Sequence, residues 1–412
     1  MDELLPYYNR ELAYIRKVGA EFAEKHPKIA ARLRMSSDMA EDPHVSRLIE
    51  AFAFLSARVR RKIDDEFPEI TKSLLEVLYP HYLAPFPSCA IARLTPDAAQ
   101  AQATQARLIG RGTAVETEPI DGQPCRFRTC YDVPLWPIRI CSAALHGPPF
   151  PGPATRFTRG AAGAVRIELE TLSPKVSFAD LPLGQLRFFL HGQALHVHEL
   201  YERLMNNALG AAVSSPGGGE CHLLESDSLR PVGFEPHEGL IDYSARSFLG
   251  YRLLSEYFAF PEKFLFFDVA GLAPAALQRV GRSTKLDLWI FLSQSNVDLE
   301  RHVNDGTFQL FCTPLVNLFE HLAEPIQLRP QAYEYRVVAD ARRPKAYEVF
   351  SIDRVTATSP TDEETEFLPV YSVKHAEPHS RRRAFWHAAR RASTLSTAEV
   401  DHGTEVYLSL TD

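Results

Sequence analysis

The chain has 412 residues, 45% of them apolar and 24% charged, with a formal net charge of −7. At roughly 100–200 residues per domain this length predicts two to four domains, and the composition excludes global disorder. The acidic surplus, 52 Asp and Glu against 45 Lys and Arg, argues against nucleic acid as the main partner, because a duplex-DNA binder presents a net basic face.

Met1-Asp2-Glu3 lacks the basic and apolar regions of an export signal. Leu5, Tyr8, Leu12, Ile15, Gly19 and Phe22 then recur at steps of three and four, the narrow stripe of a bundle seam. His26-Pro27 should stop this helix, since a residue before proline avoids the α region. Asp42-Pro43 offers an N-cap and a first-turn proline for a second helix, along which Val45, Leu48, Phe52, Leu55, Val59 and Ile63 keep the same spacing. A third helical segment is expected after Pro68, with Ile70, Leu74, Val77 and Leu78 on one side and an end at Tyr79-Pro80.

Beyond Pro87 the period falls to two, as in Val165 to Leu169, where apolar and charged residues alternate. Asp121-Gly122 predicts a hairpin turn between Thr113 to Glu118 and Cys125 to Tyr131. Gly147 to Pro153 and Ser214 to Gly219 read as linkers or loops, the first a candidate hinge. Helices are expected at Ala194 to Ala208, Ser247 to Phe258 and Leu315 to Leu322, and strands at Phe264 to Val269, Leu286 to Leu292 and Tyr333 to Val338. The most apolar stretch, Phe264 to Leu277, is too short and too interrupted to span a bilayer. The expected class is α+β: an N-terminal helical region, 1–85, followed by mixed, strand-rich domains at 86–190, 191–300 and 301–412 in an elongated multidomain chain.

Chemical constellations are sparse. Six widely spaced cysteines read as reduced thiols, which predicts a cytoplasmic location. Cys125, Cys130 and Cys141 do not have the spacing of a zinc knuckle. His196, His198 and Glu199, with His191 just before them, would suit a metal-dependent hydrolase in an extended segment, but on a helix His196 and His198 point about 200° apart. Glu235-Pro236-His237-Glu238 is a turn with carboxylates, and no GxSxG, P-loop, HExxH or Rossmann signature is present. The expectation is a protein without catalytic activity, metal or other cofactor. The run Arg381, Arg382 and Arg383, then Phe385, Trp386, Arg390 and Arg391, suits either a single-strand nucleic-acid groove or a protein interface. Arg58, Arg60, Arg61 and Lys62 beside Asp64, Asp65 and Glu66 suit surface ion pairs or a charged docking face. The candidate partner-facing residues are Leu5, Tyr8, Leu12, Ile15, Phe22, Arg58, Arg61, Arg382 and Trp386.

Several stretches taken together carry a family resemblance. They are YYNREL from Tyr7, FAFLSARVRRKIDDEFPEITKSLLEVLYPHYLAPFPS from Phe52 to Ser88, PVGFEP from Pro231, YFAFPEKFLFF from Tyr257, FCTPLVNLFE from Phe311 and EVYLSL near the end. In this order the set resembles the TssF family, also called ImpG or VasA, of bacterial type VI secretion systems. The resemblance implies a structural baseplate wedge in which two TssF copies combine with one TssG. It also implies contacts with TssK, with the sheath-linked TssE and with the VgrG spike, and an indirect link to the inner-membrane complex. Family members normally continue beyond the position of Asp412, so a further C-terminal region is expected to be missing here.

Overall fold

Prolines and caps set the helix ends at the N-terminal side of the chain. The computed structural model describes residues 4–32, 42–66, 71, 72, 74, 75, 78–120, 122–216, 220–225, 227–243, 247–358, 364–370, 384–393 and 403–411. Helix α1 (Leu5–Lys25) stops at His26, whose amide donates to the Phe22 carbonyl at 2.8 Å. Helix α2 (Pro27–Arg32) starts on the proline that ended α1. Helix α3 (Pro43–Glu66) is capped by Asp42, whose Oδ1 accepts the His44 amide at 2.8 Å. Of the expected third segment, Ile70 and Val77 lie outside the described residues, while Leu74 and Leu78 are helical and exposed. These helices form one compact unit, Met1–Leu83, in which α1 packs on α3 and the side chains of Ala30, Ala53 and Ala57 are buried.

The second unit, Ala84–Asp412, is built on sheets. The largest has β6 (Ile138–His146), β7 (Gly163–Thr171), β9 (Ala208–Ser214), β10 (Cys221–Leu223) and β13 (Lys285–Leu292) in the antiparallel order β10-β9-β13-β7-β6. Along β7, Val165, Ile167 and Leu169 are buried on one face, while Arg166, Glu168 and Glu170 alternate with them. Strand β13 instead buries every residue after Lys285, because both of its faces are covered. Ion pairs tie the polar face together: Arg166 reaches Asp287 at 2.9 Å and Lys285 reaches Glu168 at 2.9 Å. Helix α4 (Ala194–Asn206) adds Val197, Leu200 and Leu204 to the core; α6 (Pro274–Val280) adds Ala276, Leu277 and Val280.

A second sheet, β11-β12-β8-β14, joins β8 (Gly184–Leu190), β11 (Leu229–Pro231), β12 (Phe266–Leu272) and β14 (Phe308–Leu310). Its aromatic pairs, Phe188 with Phe267 at 5.4 Å and Phe189 with Phe266 at 4.7 Å, merge with Val165, Ile167 and Leu169 in one core. The order β1-β15-β4-β3 unites β1 (Cys89–Arg93), β3 (Ala114–Glu116), β4 (Arg126–Thr129) and β15 (Cys312–Val316). The expected hairpin is present here as β3 against β4, with Gly122 in the left-handed region at φ +80°. A fourth sheet, β16-β20-β19-β18-β17, uses β16 (Tyr335–Arg336), β17 (Val355–Thr358), β18 (Glu364–Pro369), β19 (Phe385–Ala392) and β20 (Thr404–Thr411). A two-stranded ribbon pairs β2 (Arg107–Ile109) with β5 (Val133–Leu135).

Three expectations change. Leu315 to Leu322 is not a helix: Leu315 and Val316 end β15, which pairs with both β1 and β4, and the chain beyond is irregular. A short apolar run fits either element, and strand pairing decided it. The expected strand Tyr333 to Val338 shortens to Tyr335–Arg336. Gly147 to Pro153 is the loop of the two readings and not a free hinge, because a side chain at Gly152 would sit 2.8 Å from the Trp289 ring and Phe150 packs on Phe291. The other linker candidate is partly outside the described residues, at Gly217, Gly218 and Gly219. Sheet pairing also crosses 190 and 300, since β7 pairs with β13 and β8 with β14.

Replacing Ile167, fully buried in β7, with alanine leaves a cavity in the shared core. The expected loss is about 2–5 kcal/mol of unfolding free energy in urea, the range for emptying a packed aliphatic site.

Candidate functional site

The stripe on α3 faces outward. Leu48 is 70% exposed and Phe52 62%, and Leu55, Val59 and Ile63 are exposed as well, whereas the buried positions of this helix are the small Ala53 and Ala57. The five apolar side chains recur at steps of four, three, four and four, the spacing of a helix seam, and fully covering each is worth roughly 1.5–3 kcal/mol. On α1 the candidate residues Tyr8, Leu12 and Ile15 are half-buried, and Leu5 and Phe22 are exposed. Arg58 is exposed and Arg61 half-buried beside this stripe. Arg60 and Asp64 form a surface ion pair at 3.8 Å.

A second apolar surface lies on α5 (Leu249–Ala259), a helix turned inside out. Its charged Arg252 and Glu256 are buried, while Tyr251, Leu254 and Tyr257 are exposed and Phe258 is 80% exposed. Spacing four residues apart puts Arg252 and Glu256 on one side of the helix. Beneath it, Arg252 donates to the carbonyls of Glu235 and Pro236, each at 2.8 Å. Glu256 accepts the Leu240 amide at 2.8 Å and pairs with Lys263, which donates to the Gly233 carbonyl at 3.0 Å. Glu238 completes the cluster by accepting the amides of Gly233 and Glu235. Burial holds the Lys263 ammonium below the ordinary lysine range, and the Glu256 carboxylate opposes that shift. Gly233, at φ +107° and close to the Lys263 carbonyl, supplies the turn that lets the carbonyls converge. PVGFEP and YFAFPEKFLFF, two of the stretches that carry the family resemblance, thus meet across one buried network. Glu235-Pro236-His237-Glu238 reads locally as a solvated turn, and burial of Glu238 could not be seen from its neighbours in sequence.

The remaining candidates do not converge on a reaction centre. His196 and His198 lie on α4 with His191 before it, as the helical spacing predicts for divergent side chains. Glu199 accepts from Arg203 at 3.2 Å and from Asn296 at 2.7 Å. His198 instead borders a shallow groove of about 420 Å³ with Tyr201, Met205, Pro231 and Phe234. Arg381, Arg382 and Arg383 lie outside the described residues. Trp386 is half-buried on β19, Arg390 donates to the carbonyls of Val349 and Phe350, and Arg391 pairs with Glu334 at 2.8 Å. Those two arginines are thus engaged within the chain, against the reading of an open nucleic-acid groove. The thiols are free: burial pushes Cys130 and Cys312 up to about 12, and Cys141 bonds to Glu170 at 3.1 Å.

Two outcomes follow from this arrangement. Glu256→Ala strands Lys263 in the interior and should cost about 3–5 kcal/mol in urea unfolding, whereas the E256L/K263M pair should lie closer to the parent chain. Alkylation of the native chain at pH 8, read by peptide mass, should reach exposed Cys221 well before Cys130 and Cys312, which should react only on unfolding.

The family model described as "Type VI secretion system, TssF" matches residues 1–412. The chain is similar to type VI secretion system component TssF1 of Pseudomonas aeruginosa strain PAO1, at 36% identity over 420 residues, covering 99% of this chain and 67% of that protein. It is also similar to a chain in the cryo-electron microscopy structure of the type VI secretion system TssK-TssF-TssG baseplate subcomplex. That match has a TM-score of 0.68 and 27% identity, over 88% of this chain and 65% of the other. The chain therefore spans about two thirds of the length of these relatives. No helix among the described residues is long and apolar enough to cross a membrane. With its whole length matched, this chain belongs to the TssF family of the type VI secretion system.

Proposed function

We propose that the chain is a non-catalytic structural subunit of the type VI secretion baseplate, acting through permanent protein interfaces. The observation that carries this reading is the stripe Leu48, Phe52, Leu55, Val59 and Ile63, whose apolar side chains stay exposed on α3 while Ala53 and Ala57 are buried. Such a seam is stabilised by helices of other subunits, and Leu5, Tyr8, Leu12, Ile15 and Phe22 on α1 extend the partner-facing set. Arg58 and Arg61 flank it, where charge sets orientation and specificity more than affinity. Trp386 and Arg382 are the C-terminal members of the proposed interface.

The similar solved chain comes from a complex of TssK, TssF and TssG, which supports TssG and TssK as partners. The fuller assembly is part of the same proposal: two TssF copies with one TssG, contacts with TssE and the VgrG spike, and docking at the inner-membrane complex from the cytoplasmic side. In that position rigid wedges would join the contractile tail to the membrane complex and support sheath assembly, and rotation of the wedges would transmit the signal for contraction. The four segments of the chain, divided at about 85, 190 and 300, are proposed as functional parts of this wedge and not as separately folding bodies.

Co-expression with the TssG partner and native mass measurement test the reading. A 2:1 species is the expected product, and Phe52→Asp with Leu55→Asp should abolish it while leaving the helical circular dichroism of the free chain unchanged. A chain that stays alone beside TssG, or a double variant that assembles as well as the parent, refutes the proposed role of the stripe.

A further inference from the structure

The sequence grouped His196 with His191, His198 and Glu199, but folding gives it other neighbours. His302, at the end of α7 (Val297–His302), stacks on His196 with ring centroids 3.9 Å apart and planes within 13°. Asp298 stands one helical turn before His302. One potential ligand atom from each of His196, Asp298 and His302 lies within 4.8 Å of the other two. We propose that these three residues form a surface site for a borderline divalent transition ion such as zinc.

The donor set is suited to such an ion, since imidazole and carboxylate together favour zinc, nickel or copper over magnesium or calcium. Spacing of i and i+4 on α7 places Asp298 and His302 on one face, and the first turn of α4 brings His196 against them. His302 also has its tautomer set. Its Nδ1 lies 2.7 Å from the Asp298 carbonyl, which can only accept, so Nδ1 carries the proton and Nε2 is left with the lone pair that a metal needs.

The two helices are fixed to each other beside the site. Asn296 caps α7 by accepting the Leu299 amide at 2.6 Å and donates to Glu199 on α4 at 2.7 Å, while Arg203 of α4 reaches Gln294. The backbone is therefore set before any ion arrives, and only side chains must move. Zinc bonds of about 2.0–2.1 Å bring tetrahedral ligands to roughly 3.4 Å from one another, so the stacked rings must swing toward a common centre. Asp298 and His302 are solvent-exposed enough to make that rotation, with side-chain exposures of 67% and 45%. Three protein ligands leave at least one position open to water, as in sites where zinc is not sealed in. Bound there, the ion would staple α4 to α7 at the edge of the core.

The test is titration of the full chain, freed of any affinity tag and of metal by a chelator, with zinc alone in a calorimeter. Cobalt absorption in the visible is a second readout of nitrogen coordination. One equivalent should bind in the micromolar range, and His196→Asn and His302→Asn should each weaken it at least about tenfold. His198→Asn, which alters an imidazole outside the cluster, should leave it unchanged. Because the chain has 15 histidines, the pattern across variants is the decisive result. Thermal unfolding of each metal-free variant at the parent temperature establishes that the fold is kept, and Asp298→Asn gives a milder change at the same centre. No saturable uptake by the parent chain, or uptake that H196N and H302N leave intact, overturns the site.

Discussion

Two opposite charges sealed under α5 dictate how that helix sits and what it shows to solvent. Glu256 and Lys263 are fully buried, and each would be costly in the interior without the other and without the carbonyls and amides around them. With Arg252 on the same face, the helix must turn its polar side toward Phe234, Glu235 and Pro236. Its aromatic residues then have nowhere to go but outward. The exposed face of Tyr251, Leu254, Tyr257 and Phe258 is therefore a consequence of satisfying buried charge. A cluster of this kind contributes little net stability compared with an apolar core, but it penalises any other orientation of the helix heavily.

The N-terminal helices reach a similar result by a different route. On α3 the small alanines pack inward, which lets helices approach closely, and the large residues of the seam are left over. Contiguous exposed apolar side chains are unusual on a monomer that works alone and mark surfaces that other molecules cover. Membership of the TssF family and the likeness to a chain solved together with TssK and TssG accord with a molecule whose work is assembly. The sheet body has the opposite character. Its charged residues pair across strands, as Arg166 does with Asp287, and its largest side chains, Trp289 among them, are spent on the core.

Local chemistry wrote the helix ends and the hairpin into the sequence, because a proline, an Asp cap or a glycine with positive φ acts on its immediate neighbours. His26-Pro27, Asp42-Pro43 and Gly122 all act in this way. The period-two pattern of Val165 to Leu169 was legible for the same reason: alternation in a strand is a property of a few consecutive residues. The stripes on α1 and α3 were legible as seams, although spacing alone does not say whether a seam is filled by the same chain. The four expected segments follow local signals, whereas strands far apart in sequence share sheets, and pairing partners leave no mark in a single sequence.

What the sequence determined by itself was the α+β class, the family and the absence of familiar catalytic motifs, all of which depend on residue types in fixed local order. Tertiary structure alone decided that Leu315 belongs to a strand, because two neighbouring strands were available to bond it. It alone buried Glu238 and Glu256, and it alone brought His196 to His302 instead of to His198. Each of these depends on contacts between residues distant in the chain, and such contacts exist only once loops have closed and the core has excluded water.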